Sequence, residues 1–222
     1  MGGILMDSPL DSPRYGLAFI EVDSGDRSID SAELQHVLSM LVLTYLDSSN
    51  CINIRPSFGG GLVATMHLPT AIIDIINTNI DYVRRTARLP ADFSLEQLDL
   101  LRMVALFGGP DTHIQFNTTL YPAQPLDQHY CDCVDRARAT LVTNTIGSLQ
   151  GELYSYLGRD HMMAVGLELA NRDVIEIDYD PYVFPTFSVA IEGIVNLHGI
   201  IQTHPDSGRP MRIKLRRFNL AQ

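Results

Sequence analysis

Hydrophobic positions along the chain follow two different spacings, and the change comes near Gly158. Before it, most apolar residues recur every three or four positions, which predicts helices with short strands between them. After it, apolar and polar residues alternate, as from Met163 to Leu169, which predicts strands with one buried face. We therefore expect an α+β fold with helices mainly in residues 30–157 and a largely antiparallel β-sheet in residues 161–218.

Capping residues and the apolar period place the individual helices. Asp30 and Ser94 each stand three residues before a Glu or a Gln, the arrangement of a capping box at the start of a helix. Thr70 is predicted to cap another helix. After Asp127 the apolar residues keep one helical phase as far as Leu157, so we expect a long helical stretch there.

The chain is expected to form one domain preceded by an arm. Residues 1–14 are rich in Gly, Ser, Asp and Pro, a composition that predicts an extended N-terminal arm. Residues 15–222 are predicted to form a single α+β domain, because no segment has the composition of a flexible linker. If there is a sub-boundary, the change of spacing places it near residues 158–161.

Targeting signals are not evident in the sequence. The N-terminus has no basic region followed by a long apolar stretch, so it is not predicted to be a secretory signal. The longest strongly apolar run, near Val37–Leu46, is about half the length that a membrane-spanning helix needs. Three Cys among 222 residues do not make a disulfide framework and suit a reducing compartment. We expect a protein without a membrane span that is cytoplasmic or lies within an intracellularly assembled particle.

Charged residues are biased in type as well as in sign. Acidic residues outnumber basic ones by 26 to 16, Arg outnumbers Lys by 15 to 1, and Asp outnumbers Glu by 19 to 7. Arg is enriched and Lys and Glu are depleted at protein interfaces, so this bias favours a surface that partners engage. The single lysine, Lys214, lies outside any phosphate-binding loop, kinase or Schiff-base motif, which excludes those enzyme classes.

A basic segment follows an acidic body. Residues 1–208 contain every acidic residue, whereas residues 209–217 contain five basic residues and no acid. The period-2 spacing of three of them predicts a strand with one basic face. One interpretation is a strand that is solvated or pairs with its own chain; as a binding face, we expect it to contact protein subunits, of the same or another chain, with nucleic acid as the less favoured partner. The five residues are Arg209, Arg212, Lys214, Arg216 and Arg217.

The helix that begins after Asp30 supplies a second candidate contact. Its second half is apolar on every side, which indicates either burial all round or contact with another subunit. The residues assigned to a subunit contact are Leu38, Leu41, Val42 and Tyr45.

An acidic strand is the first candidate metal site. Glu176, Asp178 and Asp180 are two residues apart, so a strand places their carboxylates on one face, where oxygen ligands could hold Mg²⁺ or Ca²⁺. The segment is similar to the Asp-x-Asp metal motif of nucleotide-sugar transferases. The alternative is the polar outer face that an antiparallel sheet presents to water, and we assign neither a metal nor a cofactor.

His204, in Gln202-Thr203-His204-Pro205, is a further candidate metal ligand. This segment resembles the His-x-His-Pro stretch of the JAMM metal-dependent isopeptidases, in which two His and a downstream Asp bind zinc. The resemblance implies a zinc ligand at His204. Gln202 stands where that family has its first His, and no Ser-x-x-Asp follows, so a turn between strands is the alternative.

Three functions from different classes follow from these patterns. The first is a non-enzymatic structural or assembly protein, a subunit of a larger homo- or hetero-oligomeric complex, virus and phage particles included. The second is a metal-dependent hydrolase or transferase that uses the acidic strand. The third is a nucleic-acid-binding module that uses the basic strand. We favour the first, because the apolar helix at residues 37–46, the depletion of Lys, the N-terminal arm and the basic C-terminal strand all support it.

Overall fold

The structure is a computed structural model, and it describes residues 14–25, 30–46, 51–57, 61–157, 163–182 and 193–221. Within these residues the chain forms four helices and two sheets, so the predicted α+β class is confirmed. The predicted N-terminal arm lies outside them, except for Arg14.

Helices and strands are mixed in the first part of the chain, and only strands follow α4 among the described residues. The helices are α1 (Ser31–Leu43), α2 (Thr70–Thr86), α3 (Leu95–Leu106) and α4 (Gln128–Ala139). The strands are β1 (Tyr15–Asp23), β2 (Ile52–Pro56), β3 (Leu62–Pro69), β4 (His113–Thr118), β5 (Gln124–Pro125), β6 (Val142–Leu157), β7 (Met163–Glu168), β8 (Val174–Asp178), β9 (Ile194–Thr203) and β10 (Pro210–Leu220).

The first sheet is antiparallel and has the strand order β2-β3-β1-β4-β5. The chain runs β1-α1-β2-β3-α2-α3 before it returns to β4 beside β1, and β1-α1-β2 is a split β-α-β arrangement in which β3 inserts between β1 and β2. Alternate side chains of β1 are buried: Ala18, Ile20 and Val22. They join one core with buried residues of all four helices, so the helices cover one face of this sheet.

Local capping explains where the helices begin. The Asp30 side chain accepts a hydrogen bond from the first turn of α1 at 2.8 Å. Ser94 and Gln97 form the predicted capping box, with reciprocal hydrogen bonds of 3.1 and 2.9 Å. The predicted cap at Thr70 is wrong by one position: Thr70 is already helical, and Pro69 precedes it with no side-chain cap.

Strands β6 to β10 close into a barrel with the order β6-β7-β8-β10-β9. Neighbouring strands are antiparallel except β8 and β10, which are parallel. This connectivity is that of the five-stranded Greek-key barrel of the oligonucleotide- and oligosaccharide-binding type. The barrel interior is filled by Leu153, Val165, Leu167, Ile175, Ile177, Val195, Leu197, Ile201, Ile213 and Leu215.

The helical stretch predicted for residues 127–157 is wrong after Ala139. Val142–Leu157 is instead strand β6, which pairs with both β7 and β9. β-branched residues at its start favour a strand, and its glycines weaken a helix. A Cβ atom on Gly151 would lie 2.2 Å from the carbonyl oxygen of Glu168, so the close approach of β6 to β7 requires glycine there.

Two hydrophobic cores result, one between the first sheet and its helices and one inside the barrel. We call residues 14–141 the first module and residues 142–221 the barrel. Met211 of β10 packs into the core of the first module, so the barrel wall contributes side chains to both sides of the boundary between the barrel and the first module, which we call the seam. The predicted sub-boundary at 158–161 lies outside the described residues, and a single folding unit stays a prediction.

A buried ion network fastens the barrel to the first module. Arg138 of α4 donates to both carboxylate oxygens of Asp99 in α3 at 3.0 Å, and to Glu176 of β8 at 2.5 Å. Arg212 of β10 donates to the other oxygen of Glu176 at 2.5 Å. The Arg138 and Asp99 side chains are only 8% and 2% exposed. Because an unpaired buried charge is costly, the network fixes α3, α4 and β8 against one another.

Replacing Arg138 by Met should strongly destabilise the fold. The variant leaves the Asp99 carboxylate buried without its guanidinium partner, and we expect a loss of about 3–5 kcal/mol in the free energy of unfolding. Urea denaturation followed by circular dichroism measures it. Arg85→Met is the matched control, because Arg85 forms its ion pair with Asp81 at the surface and should change stability by no more than about 0.5 kcal/mol. Equal losses in the two variants would contradict the role given to the network.

Candidate functional site

A cleft of about 640 Å³ opens along the seam between the first module and the barrel. Its walls come from the C-terminal end of α1, the start of α3, strands β6 and β7, and the turn between β7 and β8. Clefts between structural units are a common place for ligands to bind. The lining includes Met40, Leu43, Leu46, Glu96, Tyr154 and Glu168.

Glu96 is the most buried carboxylate of this cleft. It lies in the first turn of α3, where the helix dipole favours a negative charge, because Ser94 ends the preceding loop as the N-cap. The Tyr154 hydroxyl of β6 donates a hydrogen bond of 2.7 Å to its Oε2 atom. Glu96 is 8% exposed, so this contact joins α3 to the barrel at a nearly buried site.

The electrostatic surroundings of Glu96 favour its protonated form. Burial raises the pKa of Glu96 to about 7, the hydrogen bond from Tyr154 opposes the rise, and the negative charges of Asp99 and Glu168 add to it. A carboxyl group with such a pKa can gain or lose a proton near neutral pH.

Some of the other charged side chains of the cleft already form contacts within the chain. Arg209 donates to the carbonyl oxygen of Phe93 at 2.8 Å and pairs with Asp173 at 3.5 Å, which ties the β9–β10 turn to the first module. Glu168 and Asp92 are exposed at the cleft. The cleft therefore has more acidic than basic groups free to face a ligand.

The acidic strand is not assembled as a metal site. Glu176 binds two arginines through its two oxygens, whereas Asp178 and Asp180 are exposed. Within the described part of the chain, no three His, Cys, Asp or Glu residues lie close enough together to hold a metal ion. Asp178 and Asp180 lie on the exposed face, whereas Glu176 is only 12% exposed and bridges the barrel to the first module.

His204 is part of a structural turn. It is buried, its Nε2 lies 3.0 Å from the carbonyl oxygen of Leu89, and its Nδ1 accepts the backbone N–H groups of Asp206 and Ser207 at 3.1 and 3.2 Å. Both ring nitrogens are engaged, so neither is available as a zinc ligand in this conformation. The imidazole joins the β9–β10 turn to the first module.

The basic strand is present, but its five cations have two roles. Buried Ile213 and Leu215 alternate with outward residues along β10, as the period predicts. Arg209 and Arg212 bind acceptors of this chain, as described above. The other three are exposed and have no ion pair or hydrogen bond to a described residue: Lys214, Arg216 and Arg217. These three form the surface that we call the cation patch.

The helix residues assigned to a subunit contact are used inside the chain. Leu38, Leu41 and Val42 are buried in the core of the first module. Tyr45 is half-buried, its ring centroid lies 6.5 Å from that of Phe93, and burial raises its pKa well above the usual value. These four side chains therefore pack within the chain, although the helix is not buried all round, since Leu43 is 51% exposed.

Sequence analysis missed a surface on the other face of the first sheet. The outward residues of β1 include Tyr15, Leu17 and Phe19, a set that we call the β1 strip. Tyr15 is 54% and Leu17 38% exposed, although β1 is the middle strand of its sheet. The signal was present in the sequence: this strand is apolar at both its odd and its even positions, which indicates two faces in apolar surroundings.

Comparisons with protein-family models, with curated proteins and with solved structures find no match for this chain. No helix in the described residues is both long and apolar enough to cross a membrane. Function therefore has to be inferred from the chain's own cleft and surfaces.

Replacing Glu96 by Gln should change how stability depends on pH. An unfolded Glu has a pKa of about 4.3. Because the folded pKa of Glu96 is higher, its protonated form contributes stability at low pH that is lost as the pH rises to about 7. Between about pH 5 and pH 8, the unfolding free energy of Glu96→Gln should therefore rise by about 2–3 kcal/mol relative to that of the unchanged protein.

Urea denaturation at the two pH values measures this difference. Glu152→Gln is the control, because Glu152 is exposed on the same strand as Tyr154. If the difference in unfolding free energy between Glu96→Gln and the unchanged protein stays constant with pH, Glu96 does not titrate as stated.

Proposed function

We propose that this protein is a non-enzymatic assembly protein, a subunit of a larger homo- or hetero-oligomeric complex, of which a virus or phage particle is one kind. It binds its partner through the face of the first sheet opposite the helices. The observation that carries the proposal is the β1 strip, an apolar surface along the middle of that face.

The β1 strip has the composition of an interface centre. Single exposed apolar residues are ordinary on protein surfaces, whereas contiguous ones mark sites of association. Tyr15 and Phe19 are aromatic, and aromatic anchors supply much of the free energy of protein interfaces. Burying the strip against a partner would remove three apolar side chains from water at once.

Polar side chains surround the β1 strip on the neighbouring strands. His67 of β3 lies opposite Leu17 and in ring contact with Tyr15, their centroids 5.2 Å apart. Thr65 of β3 and Asn117 of β4 lie on either side of Phe19. An apolar centre with a polar rim is the usual arrangement of a specific protein interface.

The cation patch adds an electrostatic component to the proposed assembly. Its three cations are exposed on a chain whose net charge is −10, so they can attract the acidic surface of another subunit. Such contacts fix orientation and speed association, while apolar burial supplies most of the affinity.

Leu17→Glu should abolish assembly. The substitution places a carboxylate in the middle of the β1 strip, where association would bury it without a partner. We expect the unchanged chain to elute as an oligomer, by size exclusion with light scattering over a range of concentrations, and Leu17→Glu to elute as a monomer. Ile194→Glu is the matched control, because Ile194 is exposed at the start of β9 on the barrel. A monomeric unchanged chain would contradict self-assembly, and an oligomeric Leu17→Glu would contradict this surface.

Nucleic-acid binding is the second candidate, and the cation patch favours it. The patch lies on the outer wall of a barrel whose connectivity occurs in single-strand binders, although fold alone does not define function. The β8 side of the barrel packs against α3 and α4, whereas β10 is exposed at Lys214, Arg216 and Arg217. The acidic balance of the chain opposes this candidate.

The variant in which Lys214, Arg216 and Arg217 are all replaced by Ala tests this second candidate. If nucleic acid binds to the patch, the anisotropy of a fluorescent single-stranded oligonucleotide should show affinity that falls steeply with salt and is lost in the variant. Arg85→Ala, which removes an exposed cation from α2, should leave binding unchanged. Affinity that is absent, or equal in all three proteins, would dismiss the patch as a nucleic-acid site.

A further inference from the structure

Two opposite charges flank strand β3 on the face of the first sheet opposite the helices. Val63 of β3 pairs in register with Glu21 of β1 on one side and with Arg55 of β2 on the other. All three side chains point away from the core, since the buried residues of these strands are at the alternate positions. Neighbouring strands are about 4.8 Å apart, so Glu21 and Arg55 are attached about 10 Å apart, on either side of β3.

Both charges are available to a partner. Glu21 and Arg55 are exposed, and neither forms an ion pair or a hydrogen bond with a residue that the structure describes. Glu21 adjoins the β1 strip, because Phe19 precedes it by two residues on the same face of β1. A partner that buries the strip must therefore place a cation opposite Glu21 and an anion opposite Arg55, since charges left unpaired in an interface oppose binding.

A second copy of this chain satisfies both requirements. An interface with two-fold symmetry brings the same surface together from both subunits, so it has to be complementary to itself. A two-fold axis along β3 exchanges the positions of β1 and β2, and Glu21 of each copy then faces Arg55 of the other across the Val63 side chains. This rotation preserves strand direction, as in the aligned packing of two sheets about 10 Å apart. An axis along β1 would bring Glu21 of one copy against Glu21 of the other.

We propose that the partner of the β1 strip is a second copy of this chain, related by a two-fold axis along β3 and held in register by two Glu21–Arg55 ion pairs. The inference rests on the proposed assembly function and identifies the partner of that same surface. In this arrangement the β1 strip of each copy lies over β2 of the other. Burial of Leu17 and Phe19 supplies affinity, and the ion pairs select the orientation.

Reversal of the two charges tests the inference. Glu21→Arg alone, or Arg55→Glu alone, places like charges at both contacts of the dimer. We expect the dissociation constant of the dimer, from sedimentation equilibrium of the full chain, to rise about tenfold or more in each variant. A dimer with one copy of each variant has opposite charges at both contacts. An equimolar mixture of the two variants should therefore dimerise about as tightly as the unchanged chain.

Glu152→Arg on β6 and Arg88→Glu after α2 are the matched controls, because they reverse exposed charges away from this face. Alone or mixed, they should dimerise as the unchanged chain does. Dimerisation that survives both reversals, or that the mixture fails to restore, would overturn the β3 axis, whereas Leu17→Glu tests the β1 strip separately. An unchanged chain that stays monomeric at every concentration would overturn the second copy as the partner and leave the proposed assembly function with a different subunit.

Discussion

The packing of the barrel against the first module depends on one buried cation, the Arg138 guanidinium. The Arg138 side chain is only 8% exposed, so its charge is stabilised by both Asp99 and Glu176 at hydrogen-bonding distance. These contacts bring α3, α4 and β8 together at the seam. Glu96 lies on the same helix as Asp99, one turn earlier, and so the position of α3 that satisfies Asp99 also carries Glu96 to Tyr154. The cleft is the space that remains beside these two polar contacts.

The same seam determines which surfaces are left for partners. Because α3 and α4 lie against β8, the start of β10 is packed at the seam while its later part is exposed, and cations such as Arg216, which pair with no described residue, lie there. The helices occupy one face of the first sheet and leave the β1 strip on the other. The packing of the helices against β8 and the first sheet thus separates three regions with different chemistry: an acidic cleft, a basic barrel wall and an apolar sheet face.

Local signals in the sequence were sufficient for much of the fold. The caps at Asp30 and Ser94 and the alternation along β10 act within a few residues, so their structure follows from the sequence alone. The helix predicted for residues 142–157 was wrong because the leucines there are four residues apart. This spacing places side chains on one face of a helix and equally on one face of a strand. The cleft could not be foreseen, since Glu96 and Tyr154 are 58 residues apart and only tertiary packing joins them.

Native-state hydrogen exchange in increasing urea tests most directly whether the ion network makes one cooperative unit of the two cores. Amides of Ile20 in β1 and Leu197 in β9 report on the first module and the barrel, since both residues are buried in the middle of their strands. If the network couples the cores, the two amides will exchange through the same opening, with equal free energies and equal urea dependence. Exchange of Leu197 through a smaller, separate opening, with Ile20 still protected, would contradict the account.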